Sequence, residues 1–333
     1  MKNSPKVAAN IVTMNRKDLL KQCLSALTKQ KYHLSAITVL NNGSTDNTDQ
    51  MLLEEGYITQ LPEENHEDPW IEKKGLKDAQ GRSIRFKYIR SSKNLGSGGG
   101  RHETLKNDYE EGYHWFWIVD DDTLVQPDSL EKLMEKIPYI ENEKIGFLGS
   151  KCLWKDGTIL KMNLPIIETF LHGKPFNLYE DKNVLIVKEC SFVSFLTNRE
   201  TIAKIGYPIK SFKIWGDDLE YSNRITSAGM LGFYVSDSIV NHYMKDTSDI
   251  NVFTDGPHNL WKYPHGISNN LYVIRRKSFT KYWLYLLRSL ISVNIKILLK
   301  RKDHKLEFTW ANTKGAISSL WNFPNVYEDI PTT

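Results

Sequence analysis

The first 150 residues alternate between short apolar runs and longer segments with helical spacing. The runs are KVAANIV, AITVL, IRFKYIR, WFWIV and IGFLG, and they are rich in β-branched or aromatic residues. The segment after the first run places Leu20, Leu24 and Leu27 on one helical face. This alternation predicts a Rossmann-like α/β fold, with a mainly parallel central sheet and helices on both faces.

Polar or glycine-rich segments follow these runs. Along the chain they read TMN, NNGSTD, NLGSGGG and DDD. In open parallel sheets, ligands bind beyond the carboxyl ends of the strands. We therefore expect the four segments to meet at one edge of the sheet and to form a single ligand site there.

The composition excludes several classes of protein. Hydrophobic residues make up 40% and charged residues 25% of the chain, which argues against disorder. Three distant cysteines match no metal or redox spacing, and the N-terminal stretch lacks the apolar run of a secretory signal. The net charge is only +4 and its basic excess lies near the C-terminus, which argues against nucleic-acid binding. We expect a cytoplasmic protein.

Three consecutive aspartates, Asp120 to Asp122, follow the run WFWIV. Adjacent carboxylates repel one another, and they lose solvation at the end of a buried strand unless a cation neutralises them. Asp120 and Asp122 point to the same side of an extended chain, and their oxygens suit Mg²⁺ or Mn²⁺. The alternative is a solvated turn in which Asp122 or Thr123 caps the following helix.

Two other segments of this edge suit a nucleotide. The glycines of NLGSGGG would let the backbone approach a diphosphate, with Arg101 and His102 as further anion contacts. Asn41 and Asn42 offer amide donors and acceptors to a base. The simpler alternatives are a flexible loop for the glycines and an Asn-Gly turn for the asparagines.

Two features beyond residue 200 suit catalysis and metal binding. WGDDLEYSNRITSAG predicts a helix that begins with Asp217 and Asp218. One of these acids could be a general base, if burial and its neighbour raise its pKa. His242 could complete an Asp–Asp–His metal site. The alternatives are a favourable charge at a helix start and a structural histidine.

Taken in order, TMNR, NNGSTD, NLGSGGG, DDD and WGDD resemble the motifs of inverting family 2 glycosyltransferases with the A-type, nucleotide-sugar-binding fold. The likeness covers residues 6–245. Within the family, DDD, WGDDLEYSNR and the histidine 24 residues after Asp218 are most similar to bacterial galactofuranosyltransferases and rhamnosyltransferases. One departure is Asn41, where the family usually has an aspartate that accepts a hydrogen bond from the base.

The resemblance implies a role for each acidic motif. Asp218 would deprotonate the acceptor hydroxyl, with Asp217 as the alternative base. The cofactor would be Mn²⁺ or Mg²⁺. Its ligands would be Asp120, Asp122 and His242.

The same likeness assigns residues to the two substrates. Trp215 and Glu220 would contact the acceptor. Residues 1–250 would form the catalytic domain, with a nucleotide-sugar-binding half (1–122) and an acceptor-binding half (123–250). The residues expected around the nucleotide sugar are Thr13, Asn15, Arg16, Asn41, Asn42, Asn94, Gly96, Asp120 and Asp121.

The implied reaction moves galactofuranose from UDP-galactofuranose to a hydroxyl of a lipid-linked precursor of a bacterial surface polysaccharide. Transfer of rhamnose from dTDP-rhamnose is the alternative within the family. Two other classes share parts of the pattern. A nucleotidyltransferase would have a basic, glycine-rich signature near the N-terminus, where this chain has TMNR. An inactive sugar-binding module would be indifferent to Asp122→Asn and Asp218→Asn.

Residues 251–333 are predicted to be a helical, amphipathic extension. Between Val273 and Lys305 there are ten Lys or Arg residues and one acid, Asp303. Basic residues interrupt the apolar blocks of FTKYWLYLLRSLISVNIKILLKRKDHK, so we expect no membrane span. We expect instead a helix in the membrane interface, anchored by Tyr282 and Trp283, on the inner face of the cell membrane. The alternatives are packing on the body of the protein and a homo-oligomer contact.

Overall fold

The computed structural model describes residues 5–63, 68–243, 251–326 and 329–331. Within these ranges, the strands are β1 (Val7–Thr13), β2 (Ala36–Asn42), β3 (Trp70–Lys77), β4 (Ser83–Ser91), β5 (Trp115–Val119), β6 (Thr123–Val125), β7 (Ile145–Leu153), β8 (Phe170–Leu171), β9 (Lys174–Pro175), β10 (Val184–Val187), β11 (Ser194–Asn198) and β12 (Leu231–His242). The helices are α1 (Lys17–Leu27), α2 (Thr48–Glu54), α3 (Gly96–Glu110), α4 (Ser129–Lys136), α5 (Arg199–Ile205), α6 (Asp217–Ser227), α7 (Lys262–Lys277), α8 (Phe279–Arg288), α9 (Asn294–Lys300) and α10 (Lys305–Ser318).

One central sheet organises the fold. Its strand order is β10-β12-β7-β11-β5-β1-β2-β4-β3, and β6 pairs with β12 away from this path. The neighbours β5, β1, β2 and β4 run parallel, as do β7 and β12, whereas β11 lies antiparallel between β5 and β7. The predicted α/β fold is confirmed, with antiparallel strands inserted where the sheet continues past β5.

The core lies on both faces of this sheet. In β5, Trp117 and Val119 belong to one buried apolar cluster, and Phe116 and Ile118 belong to another. Alternate side chains of a strand point to opposite faces, so the two clusters are the two layers of the core. Helices α1, α2 and α4 contribute to the first layer, and α3, α5 and α6 contribute to the second.

The five predicted strands all form, as β1, β2, β4, β5 and β7. Strand β3 was not predicted, because its sequence WIEKKGLK is rich in charge. It pairs antiparallel with β4 at the edge of the sheet, where alternate residues are exposed. Tertiary pairing overrides a weak local preference there.

A short strand, not a helix, follows the three aspartates. Strand β6 pairs antiparallel with the end of β12, so that Thr123 lies opposite His242. The N–H of Tyr243 donates to the carbonyl oxygen of Asp122 at 2.8 Å. The alternative in which Asp122 or Thr123 caps the next helix is therefore wrong, since that helix begins only at Ser129.

The glycines of the segment NLGSGGG, Gly96 to Gly100, lie in the first turn of α3, so the flexible-loop alternative is wrong. Gly96 has a φ of +79°, and a Cβ atom there would lie 2.4 Å from Cα of Lys213. At Gly100, a Cβ atom would lie 2.6 Å from Cγ1 of Val12. The glycines therefore let α3 pack tightly against β1 and against the segment before α6.

The C-terminal region is helical, as predicted. A π-helical turn (Ser289–Val293) joins α8 to α9. The resulting run Phe279–Lys300 has 22 residues and a mean hydropathy of 1.3, and it is long and apolar enough to cross a membrane by length and composition alone. Length and composition alone therefore do not exclude a span, and the expectation of a helix in the membrane interface stays a prediction. The boundary after residue 250 stays a prediction, because residues 244–250 lie outside the described ranges.

Candidate active site

The carboxyl ends of β5 and β12 bring two aspartates and a histidine together. The ligand atoms of Asp120, Asp122 and His242 all lie within 4.8 Å of one another. Asp122 and His242 are buried, and Asp120 is partly exposed. A cation at this cluster would be enclosed on one side and accessible from the other.

Asn163 fixes the ring of His242. Its Nδ2 donates to Ser191 Oγ at 3.1 Å, and its Oδ1 lies 3.1 Å from Nδ1 of His242. This arrangement assigns the proton of a neutral ring to Nδ1 and leaves a lone pair on Nε2. That nitrogen lies 3.1 Å from Oδ1 of Asp122, a buried oxygen without a hydrogen-bond partner among the described residues. Two such acceptors in contact need a proton or a cation between them.

The electrostatics of this contact favour positive charge. Burial disfavours a charged ring, but the adjacent carboxylate of Asp122 outweighs it and raises the pKa of His242. Burial alone would raise the pKa of Asp122, but His242 and Arg16 lower it. One imidazole nitrogen with carboxylate oxygens is a donor set that Mn²⁺ accepts, so these residues fit a divalent cation.

Asp121 binds the end of β1. It accepts hydrogen bonds from Thr13 Oγ1 at 2.8 Å and from Arg16 Nη1 at 3.0 Å. Burial raises its pKa to about 7, although the charge of Arg16 opposes the shift. Arg16 also contacts Asp122, so a single guanidinium neutralises two of the three aspartates.

Arg101 of α3 connects this cluster to the acids of α6. Its guanidinium contacts Asp120, and its Nη1 lies 3.2 Å from Oδ2 of Asp217. Ser97 Oγ donates to the same oxygen of Asp217 at 2.6 Å. The guanidinium also lies 5.0 Å from the ring centroid of Phe192. Asp217 is therefore engaged by two donors that α3 provides.

Asp218, at the start of α6, has much less contact with the protein. Its Oδ1 accepts a hydrogen bond from the N–H of Leu219 at 2.8 Å, and the other oxygen has no donor among the residues that the structure describes. Burial, and then the charge of Asp217, raise the pKa of Asp218 to about 7. A partly exposed carboxylate that titrates near neutral pH suits a general base.

Residues 9–58 and 73–189, just over half of the chain, match the family model described as Glycosyl transferase family 2. The chain belongs to glycosyl transferase family 2. No curated protein matches its sequence.

A crystal structure of GalNAc-T7 with UDP, GalNAc and Mn²⁺ shares the fold of this chain. The two superpose with a TM-score of 0.54 and 12% sequence identity, over 95% of this chain and 55% of that one. The chain thus spans about half the length of that protein. At this identity the likeness shows the A-type glycosyltransferase fold alone.

The first asparagine of the NNGSTD turn, Asn41, makes all of its side-chain hydrogen bonds within the protein. Asn41 is fully buried, and its Nδ2 donates to Tyr88 Oη at 2.8 Å and to Asp49 Oδ1 at 3.0 Å. Its Oδ1 accepts from the N–H of Ser44 at 2.9 Å. The expected contact between Asn41 and a base is not supported, because the amide is inaccessible and already bonded.

The second asparagine ties the turn to the glycine segment. Asn42 Nδ2 donates to Asn94 Oδ1 and to the carbonyl oxygen of Gly96, both at 3.1 Å. Its Oδ1 accepts from the N–H of Leu95 at 2.7 Å. These bonds position Asn94 and Gly96 at the carboxyl end of β2, as the sequence predicts.

The end of β1 meets the same turn. Asn15, in the left-handed region with a φ of +54°, donates its N–H to Ser44 Oγ at 2.9 Å. Its Oδ1 accepts from the N–H of Thr45 at 2.7 Å. TMNR, NNGSTD, NLGSGGG and DDD thus converge on one edge of the sheet.

The two residues expected to contact the acceptor differ. Trp215 is partly exposed and packs edge-to-face on Tyr263, with 5.3 Å between the ring centroids. Glu220 is buried and accepts two hydrogen bonds of 3.1 Å from Arg224, and Arg276 lies 3.3 Å away. An acceptor contact of Glu220 is therefore not supported, because both oxygens are bound within the protein.

Three residues complete the site in roles that the motifs did not reveal. Arg101 contacts two carboxylates of the protein itself, whereas the sequence suggested a contact with an anionic ligand. Asn163 lies in a stretch of sequence without a readable pattern. Lys262 of α7 lies 5.9 Å from the ring centroids of Trp215 and Trp261. Burial, and then the charge of Arg16, lower the pKa of Lys262. Of these, only Arg101 had a sequence signal, its position after the glycines.

Proposed function

We propose that this glycosyltransferase is a metal-dependent, inverting enzyme that moves galactofuranose from UDP-galactofuranose to a hydroxyl of a lipid-linked precursor of a bacterial surface polysaccharide. One observation carries the metal-dependent reaction with an acidic base: Arg101 joins the Asp120–Asp122–His242 cluster to the Asp217–Asp218 pair. The choice of galactofuranose rests on the resemblance of DDD, WGDDLEYSNR and His242 to galactofuranosyltransferases. In sugar transfer from a nucleotide donor, a cation can stabilise the leaving diphosphate and a base can activate the acceptor hydroxyl.

Asp218 acts as the general base in this proposal. The unbound carboxylate oxygen of Asp218 takes the proton of the acceptor hydroxyl. At the same time the hydroxyl oxygen attacks the anomeric carbon of the donor. The bond from this carbon to the diphosphate oxygen breaks, and the nucleoside diphosphate leaves with the electron pair. Attack from the face opposite the leaving group inverts the configuration. Asp217 stays bound to Arg101 and Ser97 and raises the basicity of its neighbour.

The donor edge compensates the negative charge of the leaving diphosphate. Mn²⁺ or Mg²⁺, held by Asp120, Asp122 and His242, would supply Lewis-acid stabilisation of that charge when bound. Arg16, Arg101 and Lys262 add positive charge at the same edge. GalNAc-T7, which shares the fold, was crystallised with UDP and Mn²⁺, and this supports a uridine nucleotide and Mn²⁺ here.

The remaining donor contacts divide into two kinds. We assign Asn15, Arg16, Asn94 and Gly96 to direct contact with the nucleotide sugar. Four residues that the protein already binds internally would position those contacts: Thr13, Asn41, Asn42 and Asp121. On the acceptor side, Trp215 offers an aromatic face to a sugar ring.

A donor panel tests this proposal. The full chain is incubated with UDP-galactofuranose, dTDP-rhamnose and other nucleotide sugars, with Mn²⁺ or with a chelator, and release of UDP or dTDP is measured. We expect UDP release from UDP-galactofuranose that requires the cation. Release of dTDP from dTDP-rhamnose alone would replace the donor by the rhamnosyl alternative. Turnover that survives chelation would overturn the metal assignment.

A further inference from the structure

One face of the helical run Phe279–Lys300 is apolar and exposed. It comprises Trp283, Leu284, Leu287, Ile291, Ile295 and Leu299, which we call the apolar face. Leu284 is 64% exposed, Ile291 is 58% exposed and Leu299 is 76% exposed. Contiguous exposed apolar surface of this extent marks an interaction site in a soluble domain.

The opposite face of the run packs on α7 and α10. Tyr282 and Leu286 pack with Leu271 of α7 and Ala316 of α10, and Ile297 packs with Phe308 of α10. Polar side chains on this face are also engaged, because Ser289 Oγ donates to Asn312 Oδ1 at 3.1 Å and Asn294 Nδ2 donates to Thr313 Oγ1 at 2.8 Å. Crossing a bilayer would break all of these contacts. The helix therefore lies along the protein surface.

Helix α7 in turn is bound to the segment that carries the proposed base. Asn269 Nδ2 donates to the carbonyl oxygens of Ile214 and Trp215 at 3.1 Å and 2.9 Å. Lys277 Nζ lies 2.5 Å from Glu189 Oε1. The helical run is thus fixed relative to the active site through α7.

The charge on the run has one sign. Phe279–Lys300 contains Lys281, Arg288, Lys296 and Lys300 and no acidic residue, and all four are exposed. An apolar helix face flanked by basic side chains complements an anionic lipid surface, with the aromatic ring of Trp283 at headgroup level. A second protein copy would have to meet the same four positive charges with its own four, which disfavours a symmetric contact.

Helix α10 also exposes large apolar side chains. Trp310 is 67% exposed and Ile317 is 40% exposed.

We propose that the apolar face docks the protein on an anionic bilayer surface, with the run Phe279–Lys300 in the plane of the interface and not across it. This inference goes beyond the proposed reaction and does not depend on the donor or the acceptor. Docking of this kind would place the active site at a fixed height above the membrane.

Co-sedimentation with vesicles tests the proposal. The full chain is mixed with phosphatidylcholine vesicles that contain or lack phosphatidylglycerol. We expect binding to the anionic vesicles that Leu284→Glu with Ile291→Glu weakens at least about tenfold, because two exposed apolar side chains no longer enter the lipid. Lys296→Gln with Lys300→Gln should weaken it by about fivefold per charge. Ile159→Glu with Leu164→Glu, a matched pair at exposed positions 53% and 52% accessible, should bind like the parent.

Three results would overturn the proposal. The first is equal vesicle binding by the parent and the Leu284→Glu, Ile291→Glu variant, or no binding by either. The second is a dimer that dissociates in this variant while neither form binds lipid, since a second copy would then cover the face. The third is retention of the protein in cell membranes at alkaline pH, because a helix in the interface is released by that treatment and a span is not.

Discussion

The protein contains two groups of adjacent aspartates with different surroundings. Asp122 lies between His242 and Arg16, which lower its pKa although burial opposes this. Asp218 has no cationic partner within contact distance among the described residues, because Arg101 binds its neighbour Asp217. Burial, and then the charge of Asp217, raise the pKa of Asp218 to about 7. Asp122 keeps its charge and suits a cation, whereas Asp218 takes up a proton near neutral pH and suits a base.

The largest expected effect is the loss of turnover when Asp218 is replaced, and it distinguishes Asp218 from Asp217. Asp218→Asn retains the shape of the side chain but cannot accept a proton, so we expect turnover to fall by about 10²–10⁴-fold. The affinity for Mn²⁺ should not change, because the metal cluster remains intact. Release of UDP and calorimetric titration with Mn²⁺ measure the two quantities.

Asp217→Asn is the matched control for that variant. Asp217 is already engaged by Arg101 and Ser97, so its loss should reduce turnover less than the loss of Asp218. If Asp217→Asn is the more damaging change, the roles of base and neighbour must be exchanged.

The next largest effect concerns Asp122, a proposed metal ligand. Asp122→Asn removes a charged ligand, and turnover at fixed Mn²⁺ should fall by about 10²–10³-fold with partial recovery at high Mn²⁺. A Mn²⁺ titration of activity checks this. Asp128→Asn is the control, because Asp128 precedes α4 without a side-chain capping bond and should leave the titration unchanged. An Asp122→Asn titration that matches the parent would contradict the metal assignment.

Local patterns were sufficient to predict much of the fold and the acidic groups. Five apolar runs became strands of the central sheet, and their polar ends converge on one edge because parallel strands share a direction. The strand end before Asp120 and the helix start at Asp217 follow from short-range periodicity and charge placement. These features depend only on neighbouring residues.

Features that depend on tertiary contacts were not predictable. Asn163 contacts His242 only because the irregular segment that carries it folds back on β12. Arg101 follows the glycines, but its partners are Asp120, directly after β5, and Asp217 of α6. Glu220 looks like an acceptor contact next to WGDD, yet a turn of helix directs it to Arg224 in the interior. A motif identifies a residue type and a position, whereas its partner comes from the fold.

A smaller effect is expected where the fold orients a metal ligand. Asn163→Ala removes the acceptor that holds the Nδ1 proton of His242, so Nε2 is no longer fixed toward the cation. The affinity for Mn²⁺ should fall by about 10–100-fold. Asn163→Asp restores an acceptor at the same place and should recover most of the affinity. Equal affinities of the alanine variant and the parent would show that Asn163 does not orient the ring.

The smallest expected effect is a pH dependence of activity. It distinguishes Asp218, which binds a proton near neutral pH, from Asp122, which stays charged. With Mn²⁺ at saturation at each pH, kcat/KM should fall about tenfold per unit below pH 7, because Asp218 must be deprotonated to act as a base.

The stability of the folded protein should change with pH in the opposite direction. The folded pKa of Asp218 lies above its ordinary value of 3.8, so the folded state binds this proton more tightly and loses that stability as the pH rises from 4 through 7. Asp218→Asn should therefore show a smaller drop in melting temperature over this range than the parent. If kcat/KM of the parent stays constant down to pH 5.5, Asp218 is not protonated near pH 7, and its assignment as the base is contradicted.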